Sequence, residues 1–175
     1  TLLQSSAASD VYKRQVEPAL QKMAQDANPR MRARALWLLA KITGNAQGTV
    51  GQAAKDKDEN IRGMALRIAR QHELDVIELI KQLAQDKSAL VRRECLIAIR
   101  HNKSKEAPAL WAKLANAHDG KDRWYLEALG LAADKQENKF FDAWVSEAKL
   151  NTVGARDIIW RNRGTHGACL LYTSP

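Results

Sequence analysis

A phrase that returns every 30 residues constrains this chain more than any single residue does. Gln25-Asp26, Met31-Arg32 and Ala35-Leu36 align without a gap on Lys55-Asp56, Ile61-Arg62 and Ala65-Leu66, and again on Gln85-Asp86, Val91-Arg92 and Cys95-Leu96. A unit of this length cannot bury its own apolar face, so such units stack on their neighbours, and a period in this range marks a repeat array. Apolar residues inside each unit fall at helical spacing. Met31, Ala35, Leu38 and Ile42 lie one or two turns apart, with Leu36 and Leu39 widening the stripe. The second unit places Val50, Ala53 and Ala54 before Asp56, then Ile61, Ala65, Leu66, Ile68 and Ala69. The third places Ile80, Leu83 and Ala84 before Asp86, then Val91, Cys95, Leu96 and Ile99. Each unit therefore reads as two helices joined at an acidic turn. Pro18 is expected near the start of the first helix, and Gly44 at the end of the second.

A fourth, looser unit takes Pro108, Leu110, Trp111, Leu114 and Ala115 as its first helix. A longer turn follows from Asp119, and Trp124, Ala128, Leu129 and Leu131 fill the columns of its second helix. A fifth pair runs from Phe140-Phe141 and Trp144-Val145 through Thr152, an expected N-cap, to Ile158-Ile159-Trp160. Trp111, Trp124, Trp144 and Trp160 all sit at helical spacing among apolar residues and are expected in the core or at a domain contact. With no alternating β-branched segment, the fold class is all-α, in four to five antiparallel helix pairs.

The two ends read differently. Residues 5–15, Ser-Ser-Ala-Ala-Ser-Asp-Val-Tyr-Lys-Arg-Gln, are the translation of a transposon-based sequencing adapter, and Cys169-Leu170-Leu171-Tyr172-Thr173-Ser174-Pro175 translates the reverse complement of the shared adapter end. Segments 1–15 and 169–175 are therefore expected to be adapter-derived tails, leaving 16–168 as the repeat domain of a larger protein. The whole chain carries a formal net charge of +8, and setting aside the +1 contributed by Asp10, Lys13 and Arg14 leaves +7. Such a basic excess suits nucleic acid, an acidic lipid surface or an acidic protein partner. No apolar run reaches membrane-spanning length. Cys95 is the one cysteine outside the tails, so no internal disulfide is expected there. A buried, inert thiol is its simplest reading.

Two polar constellations follow the repeat. Asp26, Asp56 and Asp86 precede Arg32, Arg62 and Arg92 by six residues in every unit, which predicts a stacked ladder of helix-capping carboxylates and bridging guanidinium groups. Arg34, Lys41, Arg67, Arg70, Arg93 and Arg100 form a second set, a possible basic interaction face for phosphates or an acidic protein. His72, His101, His118 and His166 are too scattered to form a metal set by spacing, although His118-Asp119 could meet His101 in space. Asp122-Arg123 and Arg156-Asp157 read as caps and surface pairs at helix starts. No metal, cofactor or catalytic residue is assigned.

The acidic turn residue, the Val-Arg-like pair and the following Ala-Leu resemble HEAT repeats over roughly Val16 to Ala133, and so imply a HEAT-like α-solenoid. Three further segments, Gly120-Lys121-Asp122-Arg123-Trp124-Tyr125-Leu126-Glu127-Ala128-Leu129-Gly130, Phe140-Phe141-Asp142-Ala143-Trp144 and Ala155-Arg156-Asp157-Ile158-Ile159-Trp160-Arg161, resemble the helical part of bacterial PVC-type haem-binding, membrane-bound-dehydrogenase-like proteins. In that family a β-propeller commonly precedes the helical array and a c-type cytochrome domain commonly follows it. The resemblance implies an exported redox parent with haem c in a downstream domain, and a periplasmic or other extracytoplasmic location. It places no haem here, because C-x-x-C-H is absent from these residues. The expectation is a non-catalytic scaffold that holds other domains of its parent chain or another protein. The alternative is an independent binding module for nucleic acid or an acidic protein, with nucleic acid the disfavoured partner.

Overall fold

In the computed structural model of the chain, the described residues are 15–167 and 169, and they contain helices and no strand. Apart from Gln15 and Cys169, the expected adapter-derived tails lie outside them. Helical residues 15–23 (α1) are followed by α2 (Pro29–Ile42), α3 (Ala46–Ala53), α4 (Glu59–Gln71), α5 (Ile77–Leu83), α6 (Ala89–Ile99), α7 (Ala107–Ala115), α8 (Arg123–Ala132), α9 (Glu137–Val145) and α10 (Val153–Arg161). They fall into two compact units, one up to Leu74 and one from Asp75. No helix among the described residues is long and apolar enough to cross a membrane.

Local chemistry explains the helix starts. Asn28 caps α2 by accepting from the Arg30 N–H, with Pro29 supplying a fixed φ in the first turn. Asp58 does the same for α4 through the Asn60 N–H. The repeat aspartates sit two residues before the N-cap position and so do not cap the helices themselves. Asp26 accepts from the N–H of Asn28 at 2.7 Å, Asp56 from that of Asp58 at 2.8 Å and Asp86 from that of Ser88 at 2.8 Å. Each carboxylate thus folds the turn and positions the capping residue. Gly44, at φ 68°, adopts the left-handed conformation just beyond α2. Glu73, His101 and Lys135 adopt it beyond α4, α6 and α8 without being glycine. Pro18 lies in the first turn of the described part of α1, three residues past Gln15.

In the first unit α3 packs on α2 and α4, which also touch each other. Ala35, Leu36, Val50, Ala53, Ile61, Ala65 and Leu66 form its interior. Leu38, assigned to the apolar stripe, is 43% exposed, since Leu39 and Ala40 take the inward positions. In the second unit α7 packs on α5 and α9, while α8 packs on α6 and α10. Its core holds Leu96, Ile99, Leu114, Tyr125, Phe140, Phe141 and Trp144. The Trp111 indole N–H donates to the Leu129 carbonyl at 3.0 Å and that of Trp144 to Asn116 Oδ1 at 2.9 Å, so both rings bury their polar edge satisfied. Cys95 is fully buried, and burial pushes its thiol up to about 12.

Of the two places expected for them, Trp124 and Trp160 do not take the core. They are 73% and 79% exposed, and Leu131 is exposed with them. The inward stripe of α8 is Tyr125, Ala128, Leu129 and Ala132, and Trp124 and Leu131 lie beside it. On α10 the inward residues are Gly154, Ala155 and Ile158. Two positions past Ile158 is a turn of roughly 200°, which points Trp160 at solvent.

Candidate functional site

The repeat arginines point inward. Arg32 is only 5% exposed. Its Nε and Nη2 donate to the two Asp56 oxygens at 2.9 and 2.8 Å, and its Nη1 donates to the carbonyls of Asp26 and Ala27 at 2.9 and 3.0 Å. A fork-shaped cation thus ties the acidic turn of one repeat to that of the next. Arg62 Nη1 donates to the carbonyls of Asp56 and Lys57, both at 3.0 Å. In the second unit Arg92 Nη1 donates to the Asp86 carbonyl at 2.6 Å, and the Arg92 guanidinium carbon lies 5.6 Å from the centroid of the Tyr125 ring. The Asp56 carboxyl feels opposing influences. Burial pushes it up, but hydrogen bonds from Arg32 and the Asp58 N–H prevail and hold it below the usual carboxylate range.

The six residues of the expected basic face divide. Arg34, Lys41, Arg67 and Arg70 are exposed in the first unit, with Arg67 itself engaged in a further interaction. In the second unit Arg93 approaches Asp122 at 3.9 Å, and Arg100 pairs with Asp134 at 2.7 Å. His101 shares Asp134 at 2.9 Å, and Arg100 and His101 together hold that carboxyl down at about 2. His118 meets Asp157, not His101, with 3.4 Å between Nε2 and the carboxylate. Among the described residues no three histidine, cysteine or acidic side chains form a metal-binding group.

The second unit also assembles a cleft of about 560 Å³ from residues between His118 and Glu127 and between Asp157 and Arg163. The turn before α8 and the first half of α8 form one wall, and the C-terminal half of α10 with Arg163 forms the other. Two glycines allow the walls to meet. A Cβ on Gly154 would stand 2.3 Å from the His118 carbonyl oxygen, and one on Gly120, at φ 80°, would stand 2.7 Å from the Val153 side chain. Thr152 starts α10 by accepting from the Ala155 N–H at 3.1 Å, and Asp122 starts α8 by accepting from the Tyr125 N–H at 3.1 Å.

Glu127, at the centre of the cleft, receives Arg123 Nε at 2.8 Å and Arg161 Nε and Nη2 at 3.0 and 2.9 Å. These two guanidinium groups hold its carboxyl below the usual range. His118 is 9% exposed, stacks nearly parallel on Tyr125 at 5.9 Å, and has no hydrogen-bond partner at Nδ1. Lys121 and Arg163 stand exposed on the walls and make no ion pair among the described residues, and Trp160 completes the rim. The arrangement offers cations and an aromatic face for binding, with its carboxylates already engaged. The sequence places Trp160 in the core or at a domain contact and does not reveal this cleft. The pairing of adjacent aromatics in Trp124-Tyr125 was one available signal that α8 could not bury both. No family model, curated protein or solved structure matches the chain.

Proposed function

We propose that this chain is a HEAT-like α-solenoid segment whose job is to hold other protein domains, and that it does no chemistry of its own. The observation that carries this reading is the commitment of Arg32 to Asp56 and to the Asp26 and Ala27 carbonyls. A residue of the most periodic polar column is turned inward and spent on joining the first repeat to the second. A repeat array built in this way presents side chains on a long surface and suits spacing or docking of partners. The resemblance of the Gly120–Gly130 and Ala155–Arg161 segments to PVC-type haem-binding proteins supports a parent that is an exported bacterial redox protein. In that parent the haem c belongs to a domain outside this segment.

The parent gene read through both ends of this segment tests the proposal. Propeller-like strands are expected upstream and a C-x-x-C-H motif downstream, and cross-links in the expressed parent should join those domains to this one. A gene that encodes these repeats alone, in a protein that captures no other domain, would overturn it.

A further inference from the structure

We infer that the cleft between the turn before α8 and the end of α10 docks an acidic peptide segment that also carries an apolar side chain. The inference rests on the interaction-segment reading above and names the partner chemistry of one site. Its volume, about 560 Å³, lies within the range of roughly 300–1,000 Å³ common for ligand sites. One wall includes Gly120, which holds a left-handed turn, and behind it the backbone at His118 packs directly on Gly154.

Charge decides which ligand fits. The three carboxylates of the cleft are occupied: Glu127 by Arg123 and Arg161, Asp157 by His118, and Asp122 by the start of α8. Lys121 and Arg163 are left as exposed cations able to receive an incoming carboxylate. Beside them Trp160 presents an indole that is 79% exposed, and buried aromatic anchors of this kind dominate the energetics of peptide interfaces. A polynucleotide needs an unbroken row of cations to neutralise successive phosphates, whereas here Asp122, Glu127 and Asp157 interrupt the row. A segment with one or two carboxylates next to an apolar side chain needs no such row, only Lys121 and Arg163.

The full chain would be titrated, by fluorescence anisotropy, into a labelled Gly-Ser decapeptide carrying one central Glu-Leu-Glu, its Gln-Leu-Gln counterpart (below, the Glu-Leu and Gln-Leu peptides), and a labelled oligo-thymidylate. Saturable binding of the Glu-Leu peptide is expected, with weaker binding of the other two. Trp160→Ala, at an exposed position that should not disturb folding, is expected to weaken peptide binding roughly tenfold or more. A Lys121→Gln, Arg163→Gln double variant should weaken it similarly and flatten its salt dependence. Trp124→Ala, off the cleft, should leave it unchanged. No saturable peptide binding, equal binding of the Gln-Leu peptide, an unaffected Trp160→Ala variant or tighter binding of oligo-thymidylate would each overturn the proposal. A cleft that fails this test in a parent with flanking domains leaves the scaffold reading standing. Binding at the cleft of a free-standing repeat protein has the reverse effect.

Discussion

Arg32 and Asp56 are the residue-scale anchor of the repeat, and their surroundings set the sign of two effects. Both side chains are largely removed from water, at 7% and 12% exposure, so neither charge can be left alone cheaply. Truncating Arg32 to Ala should destabilise the protein, because it strands the Asp56 carboxylate without its partner. The Arg32→Met, Asp56→Leu double variant should lie well above the sum of the single losses in urea melts. Strict additivity would mean that the pair is not coupled. Acid adds a second readout. Because the Asp56 carboxyl in the fold titrates below its ordinary range, its stabilisation is complete above about pH 4 and is lost as pH falls through the lower folded value. The Asp56→Asn protein, less stable throughout, should therefore lose less of its remaining stability than wild type between about pH 4 and pH 2.

At the scale of elements, glycines separate helices that merely tolerate the residue from one that requires it. Gly51 lies on the exposed side of α3, where an added Cβ would meet nothing within 4 Å. Gly51→Ala should stabilise the protein by up to about 1 kcal/mol through helix propensity alone. Gly154 occupies the first turn of α10 against the His118 carbonyl, so Gly154→Ala must push the two segments apart and should cost roughly 1–3 kcal/mol. Thermal melts of the two variants should move in opposite directions, and a shift of the same sign in both would contradict the close crossing. The same elements show where periodicity misleads. The apolar count of α10 includes Trp160, yet only Gly154, Ala155 and Ile158 face inward, because a nine-residue helix packed along one narrow stripe leaves its remaining large side chains outside.

For the molecule as a whole, the basic balance invites a nucleic-acid reading that the placement of charges weakens. Of the six residues expected to form a basic face, Arg93 and Arg100 lie against Asp122 and Asp134. Titration with duplex and single-stranded DNA at physiological ionic strength should give only weak binding that falls steeply with salt and does not depend on sequence. Submicromolar binding abolished by an Arg34→Ala, Arg70→Ala double variant would instead establish a phosphate track on the first unit. That result would replace the scaffold reading with a nucleic-acid module.

The all-helical class, the acidic turns, the N-cap at Thr152 and the buried state of Cys95, Leu66 and Leu96 could be read from the chain, because each depends on nearest neighbours or on a spacing that repeats. Helical periodicity and turn chemistry are local, and the 30-residue recurrence multiplies the signal. What lay beyond reach depends on partners distant in sequence. That His118 would turn to Asp157 and that Arg161 would reach Glu127 follow from how helices cross. The left-handed caps at Glu73, His101 and Lys135 carry no glycine to announce them. Trp124 and Trp160 are as apolar as Trp111 and Trp144, and composition cannot tell an exposed indole from a buried one. Only packing decides which side of each helix is covered, and with it which residues are left to bind a partner.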